Sequence, residues 1–200
     1  MTADQSERPP LSREAIVAEA RAMVQAGGLE ALSLRRLATR LGVTAPALYA
    51  HVSSKRDLVR AVAEVEFDHL LARFDKIDTT DPLERIRAQS RAYVDHAREN
   101  PELFQVMFVF PPDLGAAPLP EGVELPAATR AFTTALAAVE EAMDEGVIER
   151  ADPVLVALTL WTANHGVAMA LLLGLALPGD LEDALVDEVT GRLVLGWARR

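Results

Sequence analysis

Between Pro153 and Gly179 the chain carries no Asp, Glu, Lys or Arg. Such a run exceeds the roughly 18 to 20 residues a bilayer requires, so it either spans a membrane or is covered by protein. Asn164 and His165 stand in its middle, Thr159 and Thr162 precede them, Asp152 and Asp180 close its ends, and no basic flank is present. These features predict a buried helix of a soluble protein and no membrane partner. The composition agrees, because 50% of the 200 residues are hydrophobic and 25% charged, which excludes disorder as the main state.

Helix punctuation recurs along the rest of the chain, and strand-like alternation does not, so the expected fold class is all-α. Ser12 opens a first helix that stops at Gly27-Gly28; Ser33 opens a second, ended by Gly42; Thr44, with Pro46 in the first turn, opens a third to about His51. Ser54 and Asp57 form a capping-box variant at the start of a long fourth helix, Lys55 to about Asp75, which reads as a connector between two units. Asp81-Pro82, Asn100-Pro101 and Asp152-Pro153 start three more helices and Asp180 starts the last, eight with readable starts in an expected total of about nine. The first ten residues, MTADQSERPP, are polar with no basic-then-apolar pattern, which predicts a disordered leader and no signal peptide. The prolines and glycines of residues 111–126 predict a long irregular loop, either a lid over a cavity or a surface excursion.

Segment 33–55, SLRRLATRLGVTAPALYAHVSSK, carries the functional signal. Leu34, Leu37, Ala38 and Leu41 give one apolar stripe, the small Ala38 permits a close helix crossing, and Gly42 permits a left-handed turn into the next short helix. That is a helix-turn-helix pattern, whose second helix would enter a major groove. A net charge of -10 argues against a polyanion partner only while it is taken as a bulk number. Residues 1–60 hold nine Arg/Lys against six Asp/Glu, a balance of +3, and the other 140 residues hold eleven against 24, or -13. Phosphate neutralisation acts within about one Debye length, roughly 8 to 10 Å, so a basic head can bind a duplex on an acidic protein.

LRRLATRLGVTAPALYAHVSSKRDLVRAV resembles the DNA-binding head of the tetracycline-repressor (TetR) family of bacterial transcription factors, over about Leu11 to Ala63. The Pro-x-Leu-Tyr-x-His-Val run at Pro46 to Val52 and the Lys55-Arg56-x-Leu58 start of the fourth helix stand as the family has them. The resemblance implies a three-helix head at 11–60 joined by the long fourth helix to an effector-binding and dimerisation domain at 61–200. It further implies that Arg35 reaches a base edge or phosphate, and that Ala45, Pro46 and Ala47 lie against bases. Tyr49 and His51 would then face phosphates, with Thr44 and Lys55 adding phosphate contacts. Ala45 replaces the hydrogen-bonding residue usual near the start of the recognition helix, so methyl contacts and shape would replace hydrogen-bond readout there. By ungapped counting, Leu71 stands where the tetracycline repressor has a ligand-gripping histidine.

In the C-terminal part, Trp161-Thr-Ala-Asn-His165-Gly166 is similar to the Trp-x-x-x-His-Gly signature of one class in this family, as is Asn100 to Phe104 followed by Met107 and Phe108. Trp161 and His165 are four apart on a helix and can line one cavity, with Phe104, Met107 and Phe108 as an opposing apolar wall, although such residues also make ordinary core. Gly166, Ala170 and Gly174 recur every four residues and permit close approach of another helix, in keeping with the homodimer that the resemblance implies. Asp95, His96 and Glu99 have helical spacing that could seat a metal, but the expected state is a solvated face, so no metal and no cofactor is expected. The sequence thus reads as a cytoplasmic, ligand-responsive transcriptional regulator, with partners in double-stranded operator DNA, a small mostly apolar effector and a second copy, and nucleoid-associated when bound. A repressor is the favoured sense. A helical small-molecule carrier or sensor without DNA binding is the alternative. Nothing points to an enzyme, since no nucleophilic triad, metal cluster or phosphate loop is present.

Overall fold

The structure, a computed structural model, describes residues 10–110, 125–175 and 177–197. Residues 1–9 and 111–124, which hold nearly all of the expected leader and loop, lie outside them. The described residues form nine helices: α1 (Arg13–Ala31), α2 (Leu34–Leu41), α3 (Ala45–Tyr49), α4 (Lys55–Phe74), α5 (Pro82–Glu99), α6 (Pro101–Met107), α7 (Pro126–Asp144), α8 (Pro153–Leu172) and α9 (Gly179–Trp197). The all-α expectation is met.

Local chemistry places most helix starts. Ser12, Ser33, Thr44 and Ser54 each accept a hydrogen bond from the backbone N–H three residues on, and Asp81 and Asp152 each accept two from the first turn behind their prolines. Three elements depart from expectation, the simplest being α6, where Asn100 precedes Pro101 but makes no side-chain cap hydrogen bond. The first helix breaks at Gly27-Gly28 but then resumes for a last turn to Ala31, with Gly28 at φ +68°. A Cβ on Gly28 would meet the Glu102 carboxylate of α6 at 2.7 Å, so glycine there serves both the backbone and the close approach. The helix α7 starts on Leu125 with no side-chain cap of its own. Glu64 of α4 supplies it instead, accepting a hydrogen bond from the Ala127 N–H at 2.8 Å, and its burial raises the carboxyl above its ordinary range.

The helices α1 to α3 close around Ile16, Ala20, Leu37, Ala38, Leu48 and Val52, against Leu58 and Val59 of α4. That core continues without a gap along α4 into the body, where Phe104 and Met107 of α6 are fully buried. Each such side chain contributes about 1.5–3 kcal/mol through burial. A second cluster, including Ile86, Val139, Ala142 and Val156, fills the far end between α5, α7 and α8.

The charge-free helix α8 buries Val156, Ala157, Leu160, Asn164, Val167 and Ala168 against α5, α7 and α9. Its length and composition would suffice to cross a membrane. Its opposite face is uncovered by the described residues: Leu155 is 64% exposed and Gly166 lies open. The expected row of three small residues is shortened, because α8 ends at Leu172 and Gly174, at φ +93°, belongs to the turn that follows.

Candidate DNA-binding head and effector cavity

The turn between α2 and α3 is set by Gly42, in the left-handed region at φ +69°, whose N–H bonds back to the end of α2. It presents Thr44, Ala45 and Pro46 at the exposed start of α3, with Ala47 partly covered. Thr44 uses its hydroxyl to accept the Ala47 N–H. Tyr49 is 54% exposed at the helix end, His51 is half-buried, and Arg35 on α2 is exposed with no ion pair among the described residues. Lys55 is exposed too, its ammonium 3.4 Å from the Leu29 carbonyl. The eight sequence-predicted head residues therefore lie on α2, on α3 and its cap Thr44, in the turn after α3 at His51, or at the first residue of α4.

One support of this surface has no local sequence signal. Arg13, at the start of α1, donates to the His51 carbonyl at 2.7 Å and to both oxygens of Asp57, at 2.6 and 3.2 Å. Asp57 also accepts from the Ser53 N–H, and the hydrogen bond from Arg13 is the first cause holding its carboxyl well below the usual range. A single arginine thus fixes the end of α3 to the start of α4. The Ser54–Asp57 capping signal was readable locally, but its partner lies 44 residues away. Arg56 stacks over the Phe110 ring at 5.4 Å, linking the start of α4 to the segment after α6.

In the body, α4, α5, α7 and α8 enclose a cavity of about 100 Å³. Phe67, Leu70 and Phe74 give it an α4 wall, and Phe108 and Trp161 line it as the sequence suggests. Phe104, Met107 and His165 do not line it. The first two are fully buried core, and His165 sits against Trp161, ring centroids 5.4 Å apart, with its Nδ1 2.8 Å from the Tyr93 hydroxyl. Trp161 Nε1 donates to that hydroxyl at 3.2 Å, so the Tyr93 proton goes to His165 Nδ1. Burial pushes the Tyr93 phenol up and the His165 imidazole down, which keeps both neutral.

Residues 16–62 match the family described as bacterial regulatory proteins, tetR family, and residues 86–193 match the tetracyclin repressor-like C-terminal domain. The chain belongs to the tetracycline-repressor family. An HTH-type transcriptional regulator of Mycobacterium tuberculosis is 28% identical over 192 residues, covering 95% of this chain and 83% of its own. The class C tetracycline repressor of Escherichia coli is 50% identical over 54 residues, 27% of this chain and 25% of its own. A Rhodococcus protein of unknown function has the same fold at TM-score 0.79 and 25% identity, covering 98% of this chain and all of its own. AibR, solved with isovaleryl coenzyme A and operator DNA, shares the fold at TM-score 0.61 and 22% identity, covering 91% and 97%. This chain is accordingly a TetR-family transcriptional regulator with a helix-turn-helix and a ligand-binding domain.

Between the two parts of this TetR-family chain lies a buried charge cluster. Glu66 of α4, fully buried, accepts from Arg21 Nε of α1 and lies 3.4 Å from His69 Nδ1. His96 of α5 approaches it to 3.6 Å, without a hydrogen bond on either ring nitrogen among the described residues. The expected solvated face of Asp95, His96 and Glu99 is corrected here, since His96 is 1% exposed. Burial lowers its imidazole to about 4, against the opposing pull of Glu66. Among the described residues no group of three potential ligands is placed to hold a metal.

Proposed function

We propose that the protein is a dimeric, ligand-released repressor of a pseudo-palindromic operator. One observation carries this reading: α4, whose first turn braces the recognition helix through Asp57 and Arg13, is also the cavity wall at Phe67, Leu70 and Phe74. A ligand that displaces this wall tilts the helix on which the head rests. Release then requires that the ligand bind the dimer with misplaced heads more tightly than the DNA-competent one, since equal affinity for both shifts nothing. Two heads would enter successive major-groove turns about 34 to 36 Å apart, or a multiple of that.

In this reading Ala45, Pro46 and Ala47 meet thymine methyls, and Arg35 reaches a base edge or phosphate at the groove margin. Tyr49, His51, Thr44 and Lys55 contact the backbone, Lys55 beside the free N–H groups at the start of α4. The open faces of α8 and α9 from two copies would form a four-helix interface. The protein would work in the cytoplasm, on the nucleoid when bound.

The test is a fluorescence-anisotropy titration with the DNA upstream of its own gene at several salt concentrations. Binding is expected to be sequence-preferring and salt-sensitive. Arg35→Ala combined with Lys55→Ala removes up to four backbone or base contacts per dimer, so affinity is expected to fall about a hundredfold or more, with a shallower salt slope. The helical signal and the dimer stay intact. Failure of the unaltered protein to prefer any duplex favours the carrier without DNA binding.

A further inference from the structure

We infer that the cavity admits an uncharged, mainly apolar molecule of about single-ring size, whose one carbonyl or hydroxyl group is met by the side-chain amide of Gln89. The inference rests on reading the cavity as the effector site. None of the described residues lining it is charged. A carboxylate, phosphate or ammonium group would lose its water there without meeting an opposite charge, a large penalty in a low-dielectric site.

The polar groups on the wall are engaged with one another, with one exception. Ser90 donates to the Ile86 carbonyl at 2.9 Å and accepts from Asn164 Nδ2 at 3.1 Å. Asn164 Oδ1 accepts from Thr190 at 3.2 Å, and the Tyr93 hydroxyl is held between Trp161 and His165. Gln89 lines the cavity at 7% exposure, and its amide makes no hydrogen bond with any described residue. Neither amide atom is among the fully buried polar atoms that lack a partner, so the group opens on the cavity, and a ligand that fills that space gains affinity when it completes the amide rather than leaving it desolvated and unpaired. The amide offers a donor and an acceptor from one point, which suits a carbonyl as well as a hydroxyl. Size follows from the volume: about 100 Å³ is available, and an apolar cavity of about 150 Å³ takes benzene, so a single ring enters once the walls give by a few tens of Å³ or one of its edges lies in the open side.

Calorimetric titration of the full chain with cyclohexanone, toluene and cyclohexanecarboxylate at pH 7 tests this. The ketone and toluene are expected to bind and the carboxylate not to bind. In Gln89→Leu the ketone weakens about tenfold, while toluene binds at least as tightly, which also reports an intact fold. Carboxylate binding equal to that of the ketone, unchanged ketone affinity in Gln89→Leu, or no binding of either neutral ring overturns the inference. Gln89-dependent ketone binding that leaves operator affinity unchanged upholds the ligand class and overturns the effector reading. Operator release by a charged compound, with no ketone binding, does the reverse.

Discussion

Replacing Leu155 and Leu195 by glutamate is expected to give a folded monomer that binds operator about 10²- to 10⁴-fold more weakly than the parent chain. The two leucines are 64% and 68% exposed, at the same end of α8 and α9, beside the buried Val156 and Val194. Along α9, Leu181, Ala184, Glu188, Gly191 and Leu195 share one face, and on α8 Leu155 and Gly166 fall on the face turned away from α5 and α7. Beyond their own helix backbone, no described residue comes within 4 Å of the position a Cβ on Gly166 or Gly191 would take, which leaves room for a partner's backbone. In a two-fold interface each new carboxylate occurs twice, so the pair of substitutions adds four charges to a contact in which Glu188, paired with Arg192 of its own helix, is the one charged member named. The loss of affinity follows from effective concentration. Once one head of a dimer is on its half-site, the second binds as an intramolecular step, and a monomer forfeits that gain. Sedimentation velocity and anisotropy on the same sample read both effects. A variant that stays dimeric places the interface elsewhere, and a monomer with undiminished operator affinity removes the need for two heads.

The parts of this fold that were legible in the sequence are those whose determinants lie within one helical turn. Ser12, Ser33, Thr44, Ser54, Asp81 and Asp152 act as caps because a hydroxyl or carboxylate reaches the next few N–H groups whatever the rest of the chain does. The helix-turn-helix could be read for the same reason. The start of α7 could not, since its cap comes from Glu64, 63 residues earlier. Arg13 carries no local signal because its value lies in joining α1 to the end of α3 and to α4, and the burial of His96 has none because its apposition to Glu66 depends on how α5 packs on α4. For the cavity, aromatic spacing found Phe108 and Trp161. It also drew in Phe104 and Met107, which periodicity cannot separate from core, and it missed Gln89, a polar residue with no motif around it.

The cluster around Glu66 carries the second large effect. Arg21→Met leaves the buried carboxylate without its only hydrogen-bond donor among the described residues, at a cost of about 3 kcal/mol, the lower part of the range for breaking a buried pair because Arg21 is itself partly exposed. In a chain of this size that is a fall of about 6–12 °C in melting temperature at pH 7, read by circular dichroism. Combining Arg21→Met with Glu66→Met removes both charges and is expected to recover most of the loss, a non-additivity that marks the pair itself. Acid acts on the same cluster through His96, whose surroundings are Glu66, His69 and Arg73 on α4, Glu99 on its own helix, and Arg21 on α1 beyond Glu66. Its imidazole is lowered from 6.5 to about 4 by burial, so below pH 6.5 the unfolded chain takes up a proton that the native chain refuses. The stabilisation is therefore complete above pH 6.5 and is lost as the pH falls toward 4, by about 3 kcal/mol over the window. The imidazole of His165, also lowered, adds in the same direction. His96→Leu is expected to flatten most of that slope in denaturant melts between pH 6.5 and 4 while leaving stability at pH 7.5 unchanged or higher, because two unpaired ring nitrogens are replaced by carbon. An unaltered slope would mean that His96 takes up its proton in the native chain, with Glu66 as its counter-ion, and that the cluster tightens rather than loosens in acid.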